Sequence, residues 1–144
     1  MIRTATCRCG GCLIEVQGEP IANLVCHCSS CKRRTGGPCG WTVTFRRDQV
    51  LARRWAFSIY ESDGTIGRVV NSFCSVCGTT LLFAPADFPD IIGCAGGCFV
   101  DDPVGEPTVS ASDDLRCAWL QLPQGWDVRT SALAERANGA APDG

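Results

Sequence analysis

The chain has 144 residues, 45% of them hydrophobic and 19% charged, with a formal net charge of −2 and a pI near 5.3. This is the composition of a globular protein of one domain's length, not of a disordered chain. The acidic balance argues against broad attraction to nucleic acid or to anionic membrane surfaces, and no apolar run approaches the length of a bilayer span.

In chain order, the N-terminal stretch "MIRTATCRCGG" has no apolar segment of signal-peptide length, so export is not expected. A strand is predicted over Leu13–Val16, followed by the block "CHCSSCKRRTGG" from Cys26 to Gly37. Residues Trp41–Phe45 then alternate cleanly, with Trp41, Val43 and Phe45 on one face and Thr42 and Thr44 on the other. Further strands are predicted over Trp55–Tyr60, Arg68–Phe73, Thr79–Phe83, Asp90–Gly93 and Cys117–Leu122, separated by breaks rich in Gly, Pro, Asn and Asp. The expected fold class is therefore mainly β, one domain over residues 1–130. Residues 131–144 read as a short helix or a disordered tail, the helix falling at Thr130–Ala137 and "NGAAPDG" lying beyond it.

Twelve cysteines in such a chain need a chemical reason. A secreted disulfide framework is one, but a bridge between residues two apart is strained, and C-x-C spacing suits a shared metal better. The cysteines are accordingly read as metal-bound or free thiols in a reducing cytoplasm. Zinc in a structural role takes four ligands tetrahedrally, and short cysteine turns supply them in pairs. Cys7 and Cys9, followed by Gly10 and Gly11, make one half-site; Cys74 and Cys77, followed by Gly78, make the other. Arg8, between two of these ligands, offsets their charge.

Cys26, Cys28 and Cys31 have no partner pair of equal quality. Three protein ligands and an open fourth position is the arrangement of a catalytic zinc, the open position taking water or a substrate thiol. The alternative is closure by Cys12 or Cys39, which would make the site structural. The spacing of "CRCGGC" (Cys7–Cys12) is repeated in "CHCSSC" (Cys26–Cys31). Lys32, Arg33 and Arg34 follow the third ligand directly. They meet the carboxylates of a thiol substrate, with the N–H groups of "TGG" as added donors, or are merely solvated or balance the zinc thiolates; a nucleic-acid patch is disfavoured because the run stands alone in an acidic chain. His27, the only histidine, points away from the sulfurs in an extended C-x-C loop, which leaves it local packing or hydrogen bonding, or a supporting or proton-handling role behind the ligands. Cys94, Cys98 and Cys117 are expected to be small buried hydrophobes, and Trp41, Trp55, Trp119 and Trp126 core or pocket wall.

The blocks "CRCGGCLIEV", "CHCSSCKRRTGG", "FCSVCGTTL" and "FVDDP", in this order, resemble the glutathione-dependent formaldehyde-activating enzyme family, also called the CENP-V/GFA domain. The resemblance runs from about Thr6 to about Leu122, and "GGCFVDDP" carries one residue more than the family's usual run there. It implies a Mss4-like, β-tent zinc-binding fold. It also implies a structural zinc on Cys7, Cys9, Cys74 and Cys77 and a more labile zinc on Cys26, Cys28 and Cys31. The activity implied is that of a carbon–sulfur lyase type, joining glutathione or a similar thiol to formaldehyde or another small aldehyde, as in S-hydroxymethylglutathione synthesis. Its alternative is a non-catalytic, zinc-stabilised thiol carrier or binding module. The expected partners are a small thiol and an aldehyde, with neither nucleic acid nor membrane.

Overall fold

The computed structural model describes residues 1–54, 57–64 and 66–131. Along the chain run β1 (Ile2–Thr6), β2 (Leu13–Gln17), β3 (Ala22–Cys26), α1 (Ser29–Thr35), β4 (Gly40–Arg46), β5 (Val50–Arg54) and β6 (Phe57–Gly64). They are followed by β7 (Gly67–Cys74), β8 (Thr80–Pro85), β9 (Ile91–Ala95), β10 (Val109–Ala111) and β11 (Asp127–Val128). The fold class is the mainly β, single-domain one that the sequence anticipates. No helix among the described residues is long and apolar enough to cross a membrane. Within the domain the described residues separate into two compact units, 1–23 with 42–106 and 24–41 with 107–131. The chain enters each unit twice, so neither is a separate stretch of sequence.

In the first unit β2 pairs antiparallel with both β1 and β5, and β4, β9, β8, β7 and β6 pair antiparallel in that order. Alternation decides what goes inside. Ile14 and Val16 of β2, Val43 and Phe45 of β4, and Leu81 and Ile92 are fully or almost fully buried. Phe45 packs against Phe99 with ring centroids 6.0 Å apart. Burial of these side chains contributes about 1.5–3 kcal/mol each and carries the unit.

β1 breaks the usual pattern. Ile2 faces solvent while Arg3 is buried, donating to the carbonyls of Gly18 and Pro103 and pairing with Glu19 at 3.0 Å. The "FVDDP" block supplies part of this anchorage, because Asp102 also accepts from the Thr4 N–H.

The second unit is built differently. β10 pairs parallel with both β3 and β11, and α1 follows β3 after two residues. Its buried described residues are Val25, His27, Cys28, Gly40, Ser110, Ser112 and Ser131. Val25 is the sole aliphatic side chain in that set, so hydrogen bonds and sulfur chemistry must do what apolar burial does in the first unit.

Cys117–Leu122, expected as a strand, is a turn. The Leu120 N–H bonds the Cys117 carbonyl at 2.9 Å and Arg116 Nη1 bonds the Leu120 carbonyl at 2.7 Å, leaving Trp119 exposed. Trp119 is therefore neither core nor pocket wall. Trp55 and the helix and tail expected beyond Ser131 lie outside the described residues.

Candidate metal centres

The first centre joins the end of β1 to the β7–β8 turn. After β1 the chain reverses through Gly10, at φ 78°, with the Gly10 N–H on the Cys7 carbonyl and the Cys7 N–H on the Cys12 carbonyl. After β7 it reverses through Gly78, also at φ 78°, with the Gly78 N–H on the Cys74 carbonyl and the Cys74 N–H on the Thr79 carbonyl. Both turns need a left-handed residue that only glycine adopts without strain. They bring the sulfurs of Cys7, Cys9, Cys74 and Cys77 within 4.8 Å of one another.

Cys9 Sγ lies 3.6 Å from both Cys7 Sγ and Cys74 Sγ. A zinc tetrahedron with bonds of about 2.3 Å has sulfur–sulfur edges of about 3.8 Å, so the donor set fits that ion in both chemistry and size. The turns also supply donors to the sulfurs, from the Cys12 N–H to Cys7 at 3.2 Å and from the Val76 N–H to Cys74 at 3.4 Å. As thiols, Cys77 is drawn down to about 5 by the Thr79 hydroxyl and N–H, and Cys74 is lowered by the N–H groups of Cys77 and Val76. Such ligands are already disposed to be thiolates, the form a metal binds.

The second centre lies within the second unit. Cys26 ends β3, Cys28 is the N-cap of α1 and Cys31 sits one turn into the helix. The turn folds Cys31 back on Cys28, whose sulfur accepts the Cys31 N–H at 3.4 Å. All three sulfurs lie within 4.8 Å of one another, and no fourth described His, Cys, Asp or Glu joins the group. One negative charge is most easily held on Cys28. Hydrogen bonds from Cys26 and Cys31 pull it down to about 2, while the same contacts push both neighbours up. A trio of sulfurs again suits a soft, tetrahedral ion such as zinc.

The expected alternative ligands lie elsewhere. Cys12 is fully buried in the first unit, and Cys39, although in the second, is not one of the clustered sulfurs. Burial raises the Cys39 thiol, as do the charges of Cys117 and Cys26. Cys94 is fully buried, as anticipated, whereas Cys98 and Cys117 are half-buried.

The basic run divides by role. Lys32 Nζ donates to the Leu115 carbonyl at 2.6 Å, Arg34 is half-buried and Arg33 is exposed. All three lie in the last turn of α1, where cations offset the helix dipole. The "TGG" N–H groups are not the free donors the sequence suggested. The Gly36 N–H caps the helix on the Lys32 carbonyl at 2.7 Å and the Gly37 N–H bonds Thr35 Oγ1 at 3.1 Å.

His27 is fully buried behind the sulfurs. Its Nε2 meets Ser110 Oγ at 2.9 Å, Ser110 donates to Asp113 at 2.7 Å, and Arg116 pairs with Asp113 at 3.0 Å. Burial pushes the imidazole below its ordinary range. Sequence reading missed Ser110, Asp113 and Arg116, which lie more than eighty residues downstream without a recognisable motif. It also missed Gly40. A Cβ there would stand 3.2 Å from the Cys31 Cβ and 2.6 Å from Arg34 Nη2, so the absent side chain is what lets both approach.

The family model described as "Glutathione-dependent formaldehyde-activating enzyme" matches residues 2–113. Comparison with curated proteins gives no match. Among solved structures, a crystal structure of a Rhodobacter sphaeroides protein is similar at 24% identity and a TM-score of 0.55, covering 72% of this chain and 96% of that one. That likeness bears on the fold.

Proposed function

The chain belongs to the glutathione-dependent formaldehyde-activating enzyme family, and from that membership we propose that it is a carbon–sulfur lyase-type enzyme joining glutathione or a similar thiol to formaldehyde or another small aldehyde. The single observation that carries the reading is the trio Cys26, Cys28 and Cys31, gathered by a strand end and a helix start. In the reaction the thiol sulfur forms a bond to the carbonyl carbon, the carbonyl π pair moves to oxygen, and the thiol proton ends on that oxygen. Zinc held by the trio would keep the thiol ionised near neutral pH and polarise the carbonyl.

The chain's own residues supply the setting. Cys28 and Cys31 are fixed by the cap of α1, and Gly40 gives Cys31 its room. In this reading Arg33, exposed on the same helix, would meet a substrate carboxylate, with Lys32 and Arg34 adding positive field. Cys7, Cys9, Cys74 and Cys77 hold the second zinc, which is structural in this reading. Twelve unbridged cysteines suit a reducing, cytoplasmic setting.

A thiol-carrier reading draws support from His27. The only histidine is buried and engaged with Ser110, so it is poorly placed to move a proton for the bound thiol. One experiment separates the readings. Glutathione is titrated into zinc-loaded protein while formaldehyde consumption and adduct formation are followed by NMR. Adduct formed faster than in buffer, and lost in Cys28→Ser, supports the enzyme. Glutathione binding without acceleration supports the carrier, and no binding defeats both.

A further inference from the structure

Two bonds from one residue dock the Cys26–Cys28 loop onto β10. The His27 N–H meets the Ala111 carbonyl at 3.0 Å, continuing the parallel pairing that sets Cys26 opposite Ala111. At the other end of the residue, Nε2 meets Ser110 Oγ at 2.9 Å. Both His27 and Ser110 are fully buried. His27 stands between two of the three clustered sulfurs, so a ring held at its backbone and at its tip fixes the chain from which Cys26 and Cys28 both project.

We propose that Ser110 and Asp113 are positioning residues for the sulfur trio, holding His27 in one tautomer and its loop in one orientation so that Cys26 and Cys28 are arranged as ligands in advance. The inference rests on the reading of the trio as a zinc site. The proton count follows from the partners. Asp113 Oδ1 accepts from Ser110 Oγ at 2.7 Å and pairs with Arg116 Nε at 3.0 Å. A carboxylate held by an arginine only accepts, and it takes the single hydroxyl proton in preference to a neutral imidazole. Ser110 then has only lone pairs to offer His27, which donates through its Nε2–H. Nδ1 is left as the bare nitrogen, and it is buried without a hydrogen-bond partner. The nearby Pro38 backbone favours the protonated ring but stands outside hydrogen-bond geometry.

The backbone is bent to bring this about. Ser112, at φ 51° and ψ 44°, is the only left-handed residue other than glycine among the described residues. Side chains disfavour that conformation, which persists where the surroundings over-determine it. Here it reverses the chain between Ser110 and Asp113, and the Asp113 N–H is tied to the Arg129 carbonyl at 2.9 Å.

The test uses the full-length protein. Because His27 is the only histidine, the imidazole 15N spectrum reports one ring, and in mildly alkaline buffer it should show a protonated Nε2 and a bare Nδ1. Ser110→Ala should weaken zinc about tenfold or more at the trio and leave the four-sulfur site unchanged, read by competition with a chromophoric chelator. Asp113→Ala frees the Ser110 hydroxyl to donate to Nε2, so the ring proton should move to Nδ1. Asp113→Asn keeps an oxygen for Ser110 and Arg116; it should retain the Nε2–H form and lose less affinity than Asp113→Ala. Ser131→Ala removes a 2.6 Å bond to Asp114 in the same unit, and should cost stability while leaving tautomer and trio affinity unchanged. A bare Nε2 in the unsubstituted protein would overturn the inference without any variant, as would equal weakening of the trio by Ser110→Ala and Ser131→Ala. Two zinc equivalents with an indifferent Ser110→Ala would overturn this inference alone, whereas a single equivalent in the unsubstituted protein would overturn the reading of the trio and this inference with it.

Discussion

The sulfur of Cys28 accepts the backbone N–H of Cys31 at 3.4 Å, so one residue both caps α1 and belongs to the sulfur trio. Structure and chemistry thus meet in a single side chain, and two substitutions separate them. Serine keeps an N-cap acceptor but not a soft metal ligand, whereas alanine keeps neither. Cys28→Ser and Cys28→Ala should lose the same one equivalent of zinc and the same glutathione response. The alanine variant should be less stable than the serine variant by about 1 kcal/mol in urea denaturation. Equal stabilities would remove the capping role.

The two sulfur groups should fail differently. Cys74→Ala takes a ligand from a four-sulfur site that ties β1 to the β7–β8 turn, where bound zinc is worth about 10 kcal/mol. If that site holds zinc as proposed, the substitution should abolish cooperative folding of the first unit. Cys28→Ser should leave β6–β9 amides protected from hydrogen exchange and loosen α1 and β10, because the second unit has little apolar burial to fall back on. Hydrogen exchange on both variants distinguishes these outcomes, and equal loss of protection throughout would contradict the division.

His27 should give the second unit a pH dependence. Burial lowers its folded value below the 6.5 of a free imidazole, so the unfolded chain binds a proton that the folded chain refuses. Its contribution to stability is complete above about pH 6.5 and is lost as pH falls from there through the lowered value, with a slope of at most about 1.4 kcal/mol per pH unit. His27→Gln retains a polar partner for Ser110 and removes the titration. Its stability between pH 7.5 and pH 5 should fall less steeply than that of the unsubstituted protein; parallel curves would exclude the histidine as the cause. Protonation of the sulfur ligands affects both proteins and cancels in the comparison.

Lys32 and Arg33 should separate stability from binding. Lys32→Ala removes the bond to the Leu115 carbonyl and should destabilise the second unit by about 1 kcal/mol. Arg33→Ala should cost less stability than Lys32→Ala, losing only its interaction with the helix dipole, and weaken glutathione about tenfold if the exposed guanidinium meets a carboxylate. Denaturation and titration of the two variants check both arms.

Gly40→Ala should weaken zinc at the trio without touching the four-sulfur site, since the added methyl crowds Cys31 at 3.2 Å. Competition with a chromophoric chelator reads the two affinities separately. An unaltered weaker affinity would show that Cys31 yields without disturbing the metal.

Much of this was legible in the chain, for identifiable reasons. Strands such as Trp41–Phe45 announce themselves because alternation in the sequence becomes alternation in burial. β1 does not, since its arginine is inside and its isoleucine outside. Cys117–Leu122 carried residues compatible with a strand, but side-chain and backbone bonds within Arg116–Leu120 close it into a turn. The repeated C-x-C-x-x-C spacing is the most instructive case. In Cys7–Cys12 a left-handed glycine turns the chain and sends Cys12 into the core, while in Cys26–Cys31 a helical turn brings the third sulfur back to the others. Spacing gives the possible ligands, and the intervening backbone selects among them. The hydrogen bonds behind His27 were illegible because β10 reaches it through parallel pairing with β3, which no local pattern reveals.

The central claim is that one centre is closed by four protein sulfurs and the other by three, leaving room for a substrate thiol. X-ray absorption at the zinc edge on protein carrying two zinc ions tests it most directly. The spectrum should give about 3.5 sulfurs per zinc without glutathione, the mean of the two sulfur groups, rising to about 4 when glutathione is added. Four sulfurs per zinc from the outset, unchanged by glutathione, would contradict it.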